Sequence, residues 1–121
     1  MKFLVLSKIP SAVLEDWKRT SPESRKAAEE KMSGEIHSWT KGRSKIFVDP
    51  GAGLGKTKRI TSSGALHARN DLAMYAIVEG ESQDAVAKVF ESHPHLRIPE
   101  SSIEVMELFP LADQPRSQSK K

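Results

Sequence analysis

The stretch Ser82–Leu111 reads SQDAVAKVFESHPHL, then RIPES, then SIEVMELFPL. It divides into a capped helix, a proline stop and a strand. Ser82 stands where an N-cap belongs, its oxygen able to accept from a free backbone N–H, and Asp84 puts a carboxylate at the positive helix end. Val86, Val89, Phe90 and His93 recur at i, i+3, i+4 and i+7, which is one helical face. Pro94 has no N–H and disfavours helical geometry at His93, so the helix stops there. From Ile103 to Phe109 the period becomes two: Ile103, Val105, Glu107 and Phe109 alternate with Glu104, Met106 and Leu108, as in a strand.

Working outward, Leu72–Glu79 (LAMYAIVE) is the clearest strand, broken by Gly80. Ser21-Pro22-Glu23 is a helix start, and Ala28, Met32, Ile36 and Trp39 continue at helical spacing to a stop at Lys41-Gly42, which places a helix over 22–41. Lys2–Leu6 (KFLVL) reads as a first strand, and Ser11–Thr20 as a short helix or ordered loop. Lys45–Asp49 reads as a second strand and Asp49-Pro50-Gly51-Ala52-Gly53 as a turn. Lys56–Thr61 is then a further strand, in a hairpin with the one before it. Ser62–Asp71 shows no clear period. The order is β-α-β-(β)-β-α-β. That predicts an α+β, ferredoxin-like βαββαβ fold with an antiparallel sheet and both helices on one face. A single domain spans 1–111, and the polar segment 112–121 is expected to be a disordered tail.

Both faces of the Leu72 strand are apolar: Leu72, Met74, Ala76 and Val78 on one, Ala73, Tyr75 and Ile77 on the other. Two helices cover one sheet face. The other would leave an apolar patch that soluble monomers rarely expose. A homodimer packed sheet against sheet is the expected solution.

The chain has 121 residues, 37% hydrophobic and 29% charged, with no cysteine and a formal net charge of +3. The missing cysteines exclude a disulfide framework, a thiolate metal site and a cysteine nucleophile. No apolar run approaches the ~20 residues that cross a bilayer, so no membrane association is expected. Met1-Lys2 leads into a strand-like run and not into a signal-peptide pattern, so a cytoplasmic protein is expected.

The chain resembles the YCII-related family of the dimeric α+β barrel superfamily. The resemblance is carried by Tyr75–Ser82 (YAIVEGES), Asp84-Ala85, Glu91–Leu96 (ESHPHL) and Ser102–Val105 (SIEV). It covers about residues 70–110 well and the first 60 in element order. The resemblance implies a homodimer, a small-molecule cleft beside the sheet and a His–Asp pair. The family's histidine lies early in the first helix, where this chain reads Glu23–Ala28 without one. His37 and Asp49 match that pair by residue type only.

The candidate site residues follow from chemistry. His37, His67, His93 and His95 are the groups whose ordinary pKa suits proton transfer near neutrality. His93 continues a core face, which favours a structural, partly buried ring; His95, beyond the proline, is expected to be the more exposed. The His93-Pro94-His95 pair supplies two ligands where a metal site needs three or four, so no metal is expected. Gly51–Thr57 (GAGLGKT) fails as a phosphate loop: the first required glycine falls on Pro50. No cofactor is expected. His93, His37 and Asp49 are the catalytic candidates, and Tyr75, His93, His95, His67 and Arg59 the ligand-binding ones. The function expected is small-molecule binding, with isomerase- or lyase-type chemistry as its enzymatic form. The alternative is an RNA or anionic-partner module using the basic segment 41–59, in particular Arg43, Lys45, Lys58 and Arg59. Nucleic acid is the less favoured partner, because only Tyr75 offers a base-stacking ring on a central strand.

Overall fold

The structure is a computed structural model that describes residues 1–113. Its elements are β1 (Lys2–Lys8), α1 (Ser11–Lys18), α2 (Pro22–Lys41), β2 (Phe47–Gly53), β3 (Thr57–Thr61), β4 (Gly64–Ala68), β5 (Leu72–Glu79), α3 (Gln83–Phe90) and β6 (Ser102–Glu107). Short 3₁₀ turns occupy Ser44–Ile46, Pro94–Arg97 and Leu111–Asp113. The tail expected over 112–121 otherwise lies outside the described residues. Four strands form one sheet in the order β2-β5-β1-β6, with β3 and β4 in a separate two-stranded sheet. Every pairing in the large sheet is antiparallel. The architecture is α+β and ferredoxin-like, as the order of periodicities predicts.

The helices start where the chain chemistry says they should. Ser21 accepts from the Ser24 N–H at 3.2 Å, with Pro22 in the first turn, and Ser82 accepts from the Ala85 N–H at 3.0 Å. Each bond satisfies a donor that the helix leaves free, at about 1 kcal/mol per cap.

Strand parity then assigns the faces. Phe3, Val5 and Ser7 are buried, while Leu4 and Leu6 between them are partly exposed. Phe3 lies opposite Val78 on β5 and Val5 opposite Ala76, so these side chains share one face. They pack with Trp39 of α2 and with Val86 and Phe90 of α3 in a single buried cluster, which puts both helices on that face. Fully burying an aliphatic or aromatic side chain contributes about 1.5–3 kcal/mol. The opposite parity gives an open face of Leu4, Leu6, Tyr75, Ile77 and Met106. Met106 remains 37% exposed and Leu108 40%, so nothing among the described residues covers that face at β6.

The structure differs from the sequence reading around β2. The segment Asp49–Gly53 is not a turn. It belongs to an edge strand whose register with β5 breaks twice, between Phe47 and Asp49 and between Asp49 and Ala52. Turn chemistry acts inside the strand: Asp49 Oδ1 accepts from the Gly51 N–H at 2.8 Å, and Gly51 sits at φ +84°. Pro50 is tolerated because an edge strand has donors with no neighbour to reach. The strand also starts later than Lys45, after the 3₁₀ turn at Ser44–Ile46. The Lys56–Thr61 segment pairs not with β2 but with β4, inside the span that shows no clear period.

Gly51 is the position where a side chain is least tolerable. A Cβ there would lie 1.6 Å from the Tyr75 carbonyl oxygen, at a backbone angle that disfavours L residues. At Gly34, inside α2, a Cβ meets nothing within 4 Å. In urea unfolding, Gly51→Ala is expected to lose at least about 2–3 kcal/mol. Gly34→Ala is expected to gain about 0.5–1 kcal/mol.

Candidate functional site

Polar side chains gather at two places, one on each face of the sheet. On the helix face, the end of α3 leads into His93, which has extended backbone angles (φ −66°, ψ 134°) ahead of Pro94. His93 is 7% exposed. Its ring stacks on Phe90 with centroids 5.8 Å apart and meets the Trp39 ring edge-on at 4.6 Å. Nδ1 accepts from the His95 N–H at 3.0 Å. That bond decides the tautomer: a neutral imidazole whose Nδ1 accepts carries its proton on Nε2. Among the described residues Nε2 makes no hydrogen bond. Burial first, then the positive charges of His95 and Arg43, push the His93 pKa down to about 4. The ring is therefore neutral at pH 7, a donor through Nε2–H and not a proton acceptor.

Arg43 is held beside this ring. Its guanidinium carbon lies 4.2 Å from the Trp39 ring centroid, and Nη1 donates to the Trp39 carbonyl at 3.0 Å. The Trp39 indole N–H donates to Ser92 Oγ at 3.0 Å. α2 and the segment after α3 are thus locked together over His93.

His93 lines a cavity of about 40 Å³ between α2 and the sheet. Ile36 and Thr40 of α2, Val5 and Ser7 of β1, Met74, Tyr75 and Ala76 of β5, Phe47 and Pro50 of β2, and Phe90 form the rest of its wall. Ser7 is buried at 5%, and its hydroxyl makes no hydrogen bond among the described residues. The cavity is mostly apolar, with an imidazole and two hydroxyls on it. A broader depression of about 600 Å³ lies on the outside of α2, lined by residues that include Glu35 and Arg97. Those two charges pair with each other across it. It is open to water, so the smaller cavity is the better candidate site.

On the open face, Tyr75 donates its hydroxyl proton to Asp49 Oδ2 at 2.9 Å. The hydrogen bond to Asp49 raises the Tyr75 pKa, and the charge of Asp49 adds to it. Asp49 thereby holds the irregular β2 to β5, one oxygen on Gly51 and the other on Tyr75. At the far end of the same face Lys8 bridges Asp71 at 3.5 Å and Glu104 at 3.3 Å.

The candidate residues are therefore scattered. Of the predicted residues His93 and Tyr75 line the cavity, and the Tyr75 hydroxyl is committed to Asp49. His95 is 1% exposed, more buried than His93, which reverses the expected order. The cause is the 3₁₀ turn Pro94–Arg97, which swings His95 back so that Nε2 donates to the Lys8 carbonyl at 3.0 Å. His95 ties the turn to β1, and burial lowers its pKa. His37 is exposed on α2, and His67 and Arg59 are exposed on the β3–β4 hairpin, away from the cavity. The side chains of Asp49 and Tyr75 belong to the other face, so His93 and Asp49 form no pair. The basic segment 41–59 is not one patch either: Arg43 is committed to Trp39, while Lys58 and Arg59 sit on the hairpin. Sequence reasoning passed over Ser7 and Thr40. Ser7 had a signal, since it shares the parity of Phe3 and Val5 and a polar residue at an inward position needs a reason to be there.

No protein-family model matches the chain, and no curated protein is detectably similar. No family model therefore supports the resemblance of residues 70–110 to the YCII-related family. Among solved structures, the chain is similar to 5-chloro-2-hydroxyhydroquinone dehydrochlorinase (TftG) from Burkholderia phenoliruptrix AC1100, in complex with 2,5-dihydroxybenzoquinone. The identity is 17%, the TM-score 0.48, and the match covers 90% of this chain and 96% of that one.

The depressed pKa of His93 makes stability depend on pH. An unfolded histidine titrates near 6.5 and the folded one near 4, so between these values the unfolded chain binds the extra proton. Stability is complete above pH 6.5 and falls as the pH drops toward 4. The loss is up to about 3 kcal/mol. Urea unfolding from pH 7 to pH 4 should show it, and His93→Gln should reduce that slope, leaving the part that the buried His95 contributes. The His93 ring resonances should titrate well below pH 6.

Proposed function

We propose that the chain binds a small molecule in the cavity between α2 and the sheet, and that it does so as a homodimer. The observation that carries this reading is a neutral imidazole whose Nδ1 is committed to the His95 N–H and whose ring lines a largely apolar cavity, with Nε2–H left to meet a ligand. The ligand chemistry follows from the wall. Ile36, Phe47, Met74 and Phe90 suit an apolar body, and the Nε2–H of His93 with the hydroxyls of Ser7 and Thr40 can donate to a carbonyl or phenolic oxygen. At about 40 Å³ the cavity holds a small polar group as it stands. A larger ligand enters by displacement of Phe47–Pro50, the part of β2 whose register already breaks.

The enzymatic form of this reading is an isomerase or lyase in which His93 polarises a carbonyl. A neutral imidazole serves as an electrophile there, since a base would need a free lone pair at neutral pH and Nδ1 has given its own to His95. The dimer is motivated by the open face of Leu4, Leu6, Ile77 and Met106, apolar and uncovered by the chain's own helices.

A thermal-shift screen of small carbonyl and phenolic metabolites tests the reading. A binding compound should lose its shift almost completely in Ser7→Val, which removes the hydroxyl and fills the cavity with methyl groups. Ser7→Val itself should melt no lower than the parent protein. A hit whose shift survives both Ser7→Val and His93→Gln binds elsewhere and removes the proposal.

A further inference from the structure

Among the described residues the β3–β4 hairpin has no further strand partner. Its strands pair with each other and not with the large sheet. A lone two-stranded hairpin is marginal in water, because it has no second layer on which to bury its side chains. Here Ile60 is 80% exposed and Leu66 66%. The hairpin continues the β2–β5 ladder beyond the end of the four-stranded sheet. Leu54 donates to the Ala73 carbonyl at 2.8 Å where the ladder ends, and Asn70 Nδ2 donates to Thr57 Oγ1 at 3.0 Å where the hairpin begins. Strands of five residues each carry it about 17 Å further.

Its charge is one-sided. Between Pro50 and Asn70 there is no acidic residue, and Lys56, Lys58 and Arg59 form no ion pair among the described residues. Register puts Lys58 on the face with Ile60, and Arg59 opposite Leu66 on the other. Each face therefore carries one cation beside one large aliphatic side chain. The open face of the sheet is the complement. Leu4, Leu6 and Met106 are apolar, and at their end Lys8 alone serves both Asp71 and Glu104, which leaves an excess of negative charge.

We propose that the β3–β4 arm of each protomer lies across the open sheet face of a second copy. Ile60 or Leu66 then covers the Leu4–Leu6–Met106 patch, and Lys58 or Arg59 approaches Glu104. The proposal rests on the homodimer reading above and specifies how that dimer is held. In a two-fold pair the exchange is reciprocal, each arm gripping the other's sheet. The hairpin carries no Phe, Tyr or Trp and only the His67 ring, so it fits this occupant better than single-stranded nucleic acid, whose bases need aromatic platforms to stack on.

The chain has no cysteine, so introduced ones report cleanly. An Ile60→Cys chain mixed with a Met106→Cys chain under mild oxidation should give a disulfide-linked heterodimer much faster than either chain alone. In sedimentation equilibrium, Ile60→Asp with Leu66→Asp should weaken the dimer by about a hundredfold or more, and Lys58→Glu with Arg59→Glu should weaken it most at low salt. These side chains are exposed, so circular dichroism of the variants should match the parent. A parent protein that is monomeric at about 10 μM overturns both the dimer and the arm. A dimer that survives both double variants unchanged, without the cross-link, overturns the arm alone. A monomeric parent that binds RNA through Lys58 and Arg59 assigns the arm to a polyanion and overturns the proposal.

Discussion

A single helical layer, here α2 and α3, can cover only one face of a sheet, and most of this molecule follows from that limit. β1 occupies an inner position of the sheet, between β5 and β6, and its alternate residues divide the chain into two worlds. Phe3, Val5 and Ser7 look into the packed layer, while Leu4, Leu6 and Lys8 look away from it. The buried cluster and the cavity lie on the first side. The Tyr75–Asp49 pair, the Lys8 bridges and the uncovered apolar patch lie on the second.

The packed side is dominated by one aromatic group. Trp39, Phe47, Phe90 and His93 meet at centroid distances from 4.6 to 6.2 Å. These rings come from α2, β2 and α3 with its following segment, so one contact set joins elements far apart in sequence. The imidazole is the only member with polar nitrogens on both edges, and it is anchored on one of them. Its low proton affinity is a consequence of that company. Apolar rings cannot solvate a charge, and the neighbouring guanidinium disfavours a second cation.

Local chemistry was legible wherever a few adjacent residues decide the outcome. Ser21-Pro22 and Ser82 start helices, Pro94 stops one, and the alternation over Leu72–Glu79 gives a central strand; all of these are local effects. The parity of His93 with Val86, Val89 and Phe90 was enough to place it inside. The misreadings are non-local. Asp49–Gly53 has turn composition, yet the Tyr75 hydroxyl and the β5 backbone draw it into the sheet as an irregular edge. His95 lies beyond a proline, which argues for exposure, but the Lys8 carbonyl gives its ring a partner 87 residues away in sequence. β4 is a strand only through β3, because GALHA has little preference of its own. No window of sequence shows a cavity wall assembled from α2, β1, β2 and β5.

The two margins of the large sheet also shape how copies of this chain can meet. β2 carries Pro50, a left-handed Gly51 and two breaks of register, so it offers no regular row of donors and acceptors to an incoming strand. On β6, Gln83 donates to the Val105 carbonyl at 2.8 Å, and Glu104 and Glu107 put carboxylates along the strand. Edges blunted in this way resist strand-by-strand addition. Growth of the sheet into an endless ribbon is closed off at both ends, which leaves the broad faces as the places where another surface can be met.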